Sequence, residues 1–443
     1  MTSKTFRRII AATAAIASAT LLAACAGGGS SGGGGGGTSG NDLGLPNLKG
    51  QTLNVSADWS GAEQKDFEAV LKVFEKATGA TVDYKSLGNN VATVLGTQIT
   101  GGNPPNVSLI PQPGLLKQLA ADGSLKTLPS SVTKTVDANY SQTWQDLGKV
   151  DGKPYGVWFK GSNKSTVWYN TQLYKNAGID EPKTWDQFTK DMQTLQDSGV
   201  SGLSIGADVG WPLTDWFENV YLRTAGGDMY DKLANHEIPW TDPSVTKALD
   251  ILKDLWSADY IEPGGAQRSF GDAVTEVFGA NPKAATTYEG DFVATNIASD
   301  TKTKVGTGAK FYDFPSIDDS PASVVGGGNV AVAFKDDKAT MALMKFLAMP
   351  EAANAWIPLG GFTSPNQKAD TGKYPDATSK QIAQALLSAK VLKFDMSDLA
   401  PSAFGGTEGQ GEWQILLGFY ANPTDVAGVQ QKLEAAAAAA YKS

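Results

Sequence analysis

The stretch TLNVSADWSGAEQKDFEAVLKVFEKATGATVDY, residues 52–84, contains a complete strand–helix–strand pattern. Thr52–Ala57 predicts a strand. Residues 60–63, SGAE, have the spacing of a capping box, and the apolar residues that follow recur at helical spacing until Gly79. Thr81–Tyr84 predicts a second strand. A strand, a helix and a strand in succession indicate an α/β architecture with mainly parallel pairing.

The same alternation continues along the chain. Further strands are predicted at residues 107–110, 155–158, 166–169, 284–288 and 330–334. Further helices are predicted after the capping box Thr184–Gln187, after Asp242-Pro243, after Asp337 and at the alanine-rich C-terminus. The roughly 395 residues from Leu48 onward exceed what one hydrophobic core usually organises. The predicted fold class is therefore α/β, with two lobes of mainly parallel sheet flanked by helices.

The N-terminal segment carries a targeting pattern. Three basic residues within the first eight precede Ile9–Ala24, a run of apolar and small residues that is too short to span a bilayer. The sequence LAAC, residues 22–25, resembles the lipobox of bacterial lipoproteins, which implies cleavage before Cys25 and lipidation of that residue. We therefore expect a signal peptide over residues 1–24 and, over residues 25–47, a lipidated cysteine with a flexible Gly/Ser tether.

The composition argues against several classes of protein. The chain has 37 basic and 46 acidic residues and a net charge of −9, which disfavours nucleic acid or an anionic lipid surface as a partner. Its single cysteine cannot form an internal disulfide. Its single histidine, His236, has no second ligand nearby to complete a zinc site or a catalytic triad. The chain also lacks a phosphate-binding loop and a dinucleotide fingerprint, so we expect no cofactor and no metal ion.

Eight short motifs follow one another in the chain: LNVSADWSGAE (53–63), FEKATG (74–79), GKPYG (152–156), VWYN (167–170), PKTWD (182–186), YEGDF (288–292), VGGGN (325–329) and FLAMPE (346–351). Their order and spacing resemble the extracellular solute-binding proteins of ATP-binding-cassette sugar importers, the maltose-binding-protein-like family. The resemblance implies two lobes joined by crossover strands, which close around a ligand by hinge bending. It also implies a non-enzymatic monomer at the outer face of the cell membrane that delivers its ligand to transmembrane permease subunits.

The lobe boundaries follow from this resemblance. We place lobe 1 at residues 48–158 plus 328–360, and lobe 2 at residues 159–327 plus 361–443.

The candidate ligand-binding residues are those that suit a sugar. A sugar has an apolar face and a rim of hydroxyls, so its site needs an aromatic plate and fixed polar groups. Such residues occur in loops after predicted strands, where open α/β sheets bind ligands. The predicted ligand-binding residues are Trp59, Ser60, Glu63, Gln112, Lys160, Trp211, Asp215, Trp216, Asp291, Phe292, Gly328 and Trp413. Ser60 and Glu63 have a second interpretation, in which they only cap the first helix.

Two other functions stay open from sequence. A polyamine-binding protein would need several carboxylates around an aromatic box. A glycoside hydrolase would need two carboxylates across the scissile bond, and Asp215 with Glu218, or Glu289 with Asp291, could supply them. The candidate loops contain no arginine, which disfavours an amino-acid or peptide ligand. Several tryptophans rather than one favour a di- or oligosaccharide.

Overall fold

The computed structural model describes residues 43–442. The predicted signal peptide, Cys25 and most of the tether therefore lie outside the described residues. The strands within this range are β1 (Thr52–Ala57), β2 (Thr81–Ser86), β3 (Val107–Ile110), β4 (Lys149–Val150), β5 (Lys153–Pro154), β6 (Gly156–Asn163), β7 (Thr166–Asn170), β8 (Ser201–Ser204), β9 (Ala284–Glu289), β10 (Ala309–Asp313), β11 (Val324–Ala333) and β12 (Leu392–Phe394).

The helices connect and cover these strands. They are α1 (Gly61–Thr78), α2 (Val91–Thr100), α3 (Pro113–Ala121), α4 (Ser130–Asn139), α5 (Gln142–Leu147), α6 (Thr171–Ala177), α7 (Trp185–Asp197), α8 (Trp211–Ala225), α9 (Gly227–Ala234), α10 (Pro243–Trp256), α11 (Phe270–Phe278), α12 (Val293–Asp300), α13 (Lys338–Leu347), α14 (Pro350–Trp356), α15 (Ala377–Ser388), α16 (Met396–Leu399), α17 (Ser402–Gly405), α18 (Gly411–Ala421) and α19 (Val426–Ala440).

The strands form two large sheets and one short hairpin. The first sheet has the order β12-β11-β3-β1-β2, and β6 also pairs with β11. The second sheet has the order β10-β7-β9-β8, and β4 pairs with β5. Pairing is parallel for β1 with β2 and β3, for β8 with β9 and for β11 with β12. It is antiparallel where β11 meets β3 and β6, and where β7 meets β9 and β10. The α/β fold class is confirmed.

Helix boundaries follow the local sequence signals. Helix α1 ends at Gly79, whose φ of 76° is a left-handed conformation that glycine adopts without strain. Thr184 caps α7 by accepting a hydrogen bond from the Gln187 backbone N–H at 3.3 Å, as predicted. Asp242 caps α10 in the same way by accepting from the Ser244 N–H at 2.8 Å. These three predictions are confirmed.

Each large sheet has its own hydrophobic core. The first core combines side chains of β1, α1, β3 and α13, among them Phe67, Phe74 and Phe346. The second combines side chains of β7, α8, α10 and α19, among them Phe217 and Leu249. Burial of this apolar area is the main stabilising term in both. The lobe boundaries placed from sequence stay a prediction.

Two segments carry the chain between the cores. Only Lys164 and Ser165 separate β6, in the first sheet, from β7, in the second. Strand β11 contributes Val325 to the second core and Val330 to the first. The glycine run of β11 permits a close approach to β6, because a Cβ on Gly328, whose φ is 155°, would lie 2.2 Å from the Lys160 carbonyl oxygen. These crossovers bring Lys160, Lys164 and Gly328 to the junction of the two cores.

Candidate ligand-binding site

A cavity of about 480 Å³ lies where the two sheets face each other. Several of its lining residues lie directly after strands of the two sheets: Asp58 follows β1, Pro111 follows β3 and Phe292 lies just after β9. Ligands of open α/β sheets bind at these carboxyl ends of strands. The cavity is therefore the candidate ligand-binding site.

Three aromatic side chains form one wall of the cavity. Trp211 is the first residue of α8, Phe270 the first of α11, and Phe292 precedes α12. The Trp211 ring centroid lies 5.6 Å from that of Phe270 and 6.0 Å from that of Phe292, and the two phenylalanine rings are 5.4 Å apart. All three side chains are half-buried. We call Trp211, Phe270 and Phe292 the aromatic wall.

Polar residues from the first sheet line another part of the cavity. Lys160 is only 2% exposed, and its ammonium donates to the carboxylate of Glu63. The same ammonium lies 5.7 Å from the ring centroid of Trp59. The Asn329 amide donates to Asp58 at 2.8 Å. Burial and the nearby Glu63 raise the pKa of Asp58 to about 7, although Lys160 opposes the shift.

Lys164, which lines the cavity, contacts a second group of charged side chains. Its ammonium donates to Asp215 at 3.2 Å and to Asp395, and it lies 3.8 Å from Asp398. Burial raises the pKa of Asp215 to about 7. Burial also opposes ionisation of Asp395, but the contact with Lys164 outweighs it and holds the pKa of Asp395 near 2. Glu289, buried beside Asp215, has a pKa well above its ordinary value because burial and Asp215 both disfavour its charge. We call Lys164, Asp215, Asp395 and Asp398 the Lys164 cluster.

Several buried polar atoms on the cavity have no hydrogen-bond partner among the described residues. They are the Gln112 carbonyl oxygen Oε1, the Thr295 hydroxyl Oγ1 and the Trp413 indole nitrogen Nε1. The other end of the Gln112 side chain is fixed, because its Nε2 donates to the Gly406 carbonyl at 3.1 Å. Buried polar groups are normally paired. These atoms are therefore positioned to bond to a polar ligand or to ordered water.

Nine of the twelve predicted ligand-binding residues line this one cavity: Trp59, Ser60, Glu63, Gln112, Lys160, Trp211, Phe292, Gly328 and Trp413. Ser60 occupies the N-cap position of α1, but its side chain makes no capping hydrogen bond. The Glu63 carboxylate accepts a hydrogen bond from the Lys160 ammonium, which is a contact within the site and not with the helix terminus. Their role in ligand binding stays a prediction.

Three of the predicted residues lie away from the cavity. Trp216 is 1% exposed and packs in the second core, with its ring centroid 4.4 Å from that of Tyr288. Asp215 is buried in the Lys164 cluster. Asp291 is buried and accepts a hydrogen bond from the Thr363 hydroxyl. Trp216 therefore belongs to the core, and the two aspartates are buried and held by their contacts with Lys164 and Thr363.

Sequence reasoning missed several residues that line the cavity. Asp58 follows the first predicted strand and could have been found by the same strand-end argument as Trp59, whereas no element was predicted beside Asp398. Phe270 could not, because its spacing from Val274 and Val277 is that of a core face on α11. Thr295 and Asn329 carry no local signal. They reach the cavity only through the path of the folded chain.

The carboxylate pairs considered for a hydrolase are not on the cavity. Asp215, Glu218, Glu289 and Asp291 are each 2% exposed or less, and none of them lines it. Glu218 accepts hydrogen bonds from the Tyr230 hydroxyl and the Ser397 backbone N–H. A glycosidase needs both carboxyl groups within reach of the scissile bond. Neither of the two pairs named from sequence has that arrangement.

Residues 58–354 match the family model described as bacterial extracellular solute-binding protein. The chain belongs to this family. Its members are solute receptors, so the chain is a solute-binding protein and not an enzyme. The solute-binding function expected from the sequence motifs is therefore confirmed. None of the helices within residues 43–442 is long and apolar enough to cross a membrane.

Relatives and solved structures are consistent with this assignment. The chain is 32% identical over 355 residues to the osmoprotective compounds-binding protein GgtB of Synechocystis sp., covering 78% of this chain and 83% of the relative. It is 32% identical over 378 residues to the alpha-glucosides-binding periplasmic protein AglE of Rhizobium meliloti, covering 81% and 82%. The fold is similar to the solved structure of the bacterial solute receptor AcbH, with a TM-score of 0.78 at 20% identity and coverage of 88% and 99%.

Proposed function

We propose that this protein captures a carbohydrate, a di- or oligosaccharide, in the cavity and delivers it to the permease of an ATP-binding-cassette importer. The observation that carries the proposal is the aromatic wall together with the unpartnered polar atoms of Gln112, Thr295 and Trp413. An aromatic ring covers the C–H face of a sugar, while acceptors and donors at fixed positions bond to its hydroxyls.

The size of the cavity and the relatives support a carbohydrate ligand. A volume of about 480 Å³ lies in the range of small-molecule sites. Two of the relatives are named for alpha-glucosides and for diacetylchitobiose. Solved structures of similar fold include a chitin oligosaccharide binding protein and a receptor with a preference for β-D-galactopyranose. We take the sugar class, and no particular sugar, from these names.

Binding is proposed to couple to closure of the lobes. The aromatic wall belongs to elements of the second sheet, and Trp59 and Gln112 follow strands of the first. A ligand that contacts both favours the closed arrangement by its difference in affinity for the two states. The crossovers at Lys164 and Gly328 are the places where the chain would bend.

The test of the proposed function is a thermal-shift screen followed by calorimetric titration. The panel contains maltose, sucrose, trehalose, diacetylchitobiose and, as the rival solute, spermidine. A sugar present at 100 times its Kd should stabilise the protein by about 2.7 kcal/mol. Stabilisation by spermidine with no response to any sugar would establish the polyamine alternative instead.

We also propose that Cys25 anchors the protein to the outer face of the cell membrane through lipid. Support comes from the lipobox-like LAAC, residues 22–25, and from the extracellular family. Cys25→Ser is expected to move the protein from the membrane fraction to the soluble fraction of the host bacterium, because acyl chains supply the membrane affinity. Immunoblots of the two fractions measure this, and sugar affinity serves as the control, since it should not change. Equal membrane retention of the variant contradicts the anchor.

A further inference from the structure

We propose that the cavity selects against anionic ligands and binds uncharged sugars in preference to sugars that carry a carboxylate or a phosphate. This inference rests on the proposed function of the same site. The proposed function gives the class of ligand, a sugar, and the present inference specifies that this sugar is uncharged. The evidence is the set of ionisable groups around the cavity.

Acidic groups outnumber basic groups in the lining. Five carboxyl side chains line the cavity, and they are Asp58, Glu63, Asp208, Asp300 and Asp398. Only two lining residues, Lys160 and Lys164, are cationic. Burial raises the pKa of Asp58 to about 7 and the pKa of Asp398 well above its ordinary value, so these two groups carry less than a full negative charge near pH 7. The other acidic groups of the lining would repel an anionic ligand, because juxtaposed like charges weaken binding.

Both ammonium groups are already bound to carboxylates. Lys160 donates to Glu63. Lys164 contacts three carboxylates, those of Asp215, Asp395 and Asp398. An incoming carboxylate or phosphate would have to compete with these partners, whereas a sugar hydroxyl can accept from or donate to the same groups without adding charge.

The arginines of the described chain are occupied elsewhere. Arg223 is buried and donates to the carbonyl oxygens of Phe314 and Ser323. Arg268 pairs with Glu276 at 2.6 Å and donates to backbone carbonyls. Neither lines the cavity. Within residues 43–442, no arginine therefore lines the cavity. The lining formed by these residues lacks the guanidinium group that binds a carboxylate or a phosphate through two parallel hydrogen bonds.

Helix N-termini are the remaining groups that could attract an anion, and six helices have their first residue or their N-cap residue on the cavity: α1, α2, α3, α8, α11 and α12. Four of them, α1, α8, α11 and α12, have a carboxylate in the first turn or within three residues before it, whereas the first turns of α2 and α3 contain no acidic residue. Glu63 lies in the first turn of α1 and Asp272 in that of α11. Asp208 precedes α8 by three residues. These side chains offset the partial positive charge of those helix ends.

The experiment compares matched ligands by calorimetric titration of the full mature protein. Maltose, trehalose and sucrose are each paired with the analogue in which one CH₂OH group is oxidised to a carboxylate, a change of charge with little change of size. The anionic member should bind at least about thirtyfold more weakly at low salt, and the difference should shrink at high salt because exposed charges are screened. Anionic binding within threefold of the neutral sugar would overturn the charge selectivity and leave sugar binding intact. Failure of every neutral and anionic member to bind would overturn the proposed function, and this inference with it.

A substitution at Glu63 tests whether this residue contributes to the preference for neutral over anionic ligands. Glu63→Gln keeps a hydrogen-bond acceptor for Lys160 but removes the carboxylate that neutralises it, so the affinity ratio of neutral to anionic ligand should fall several-fold. Glu68→Gln is the matched control, because it makes the same charge change on α1 at a residue that does not line the cavity. A ratio that falls equally in both variants, or in neither, overturns the role of Glu63.

Discussion

Trp211→Ala is expected to weaken sugar binding about thirtyfold or more, equivalent to roughly 2 kcal/mol for the loss of a buried aromatic anchor. The indole is the part of the aromatic wall that lies against both Phe270 and Phe292. Because Trp211 is half-buried at the first residue of α8, its removal should change the melting temperature of the ligand-free protein little. Calorimetric titration with the best sugar of the screen and a ligand-free melt measure the two effects.

The matched control for this variant lies five residues further along the same helix. Trp216 is 1% exposed and packs against Tyr288 and Phe314. Trp216→Ala should lower the free energy of unfolding by about 3 to 5 kcal/mol, since it leaves a cavity in the core. Its folded fraction should bind sugar with nearly unchanged affinity. Normal sugar binding by Trp211→Ala would show that the aromatic wall is not the ligand site.

Lys164→Met is expected to lower the free energy of unfolding by about 3 to 5 kcal/mol, because it leaves buried carboxylates without their cation. Asp215 and Asp395 are both fully buried, and Lys164 contacts both. Without the ammonium, the folded-state pKa of Asp215 rises further above its unfolded value, and that of Asp395 rises from near 2, because Lys164 no longer stabilises the charged form. Stability is then retained at low pH, where the groups are protonated in both states, and is lost as the pH rises through the folded-state pKa values.

The loss of stability in Lys164→Met is expected to grow as the pH rises, so it can be tested by measuring unfolding at two pH values. Asp215 already has a pKa raised to about 7 by burial in the wild-type protein, with Lys164 opposing the shift. The loss of stability in Lys164→Met should therefore be larger at pH 8 than at pH 5.5, as measured by urea unfolding at both values. Lys117→Met, at an exposed position of α3, is the control and should change stability little at either pH. An equal loss for Lys164→Met at both pH values would contradict the electrostatic explanation.

The Lys164 cluster also explains why part of the site was beyond prediction. Its members Lys164, Asp215, Asp395 and Asp398 come from a crossover, from α8 and from α16. Each alone is an ordinary charged residue in the sequence. Only the packing of these segments against one another creates a buried group of three carboxylates around one ammonium, and only that packing shifts their pKa values.

The local elements, and several of the loops that hold candidate ligand-binding residues, could be predicted from short stretches of sequence. Residues 52–84 specify β1, α1 and β2 because apolar spacing, a cap position and a terminal glycine act over a few neighbouring residues. The rule that ligands bind after strands then pointed to Trp59 and Gln112, and the pair of tryptophans around Asp215 pointed to Trp211; all three line the cavity. The eight family motifs are also short stretches of sequence. Their resemblance to a known family was enough to predict two lobes and a receptor function.

Which side chains face one another depends on long-range packing and could not be predicted from local sequence. Trp211 and Trp216 are both tryptophans near the start of one helix, yet one lies in the aromatic wall and the other in the core. Phe270 joins the wall from an element about 60 residues away in sequence, where its spacing resembles a core face. Periodicity states which face of an element is apolar, but it does not state whether that face meets a core or a cleft. That distinction depends on where the crossovers place the two sheets, a property of contacts between distant parts of the chain.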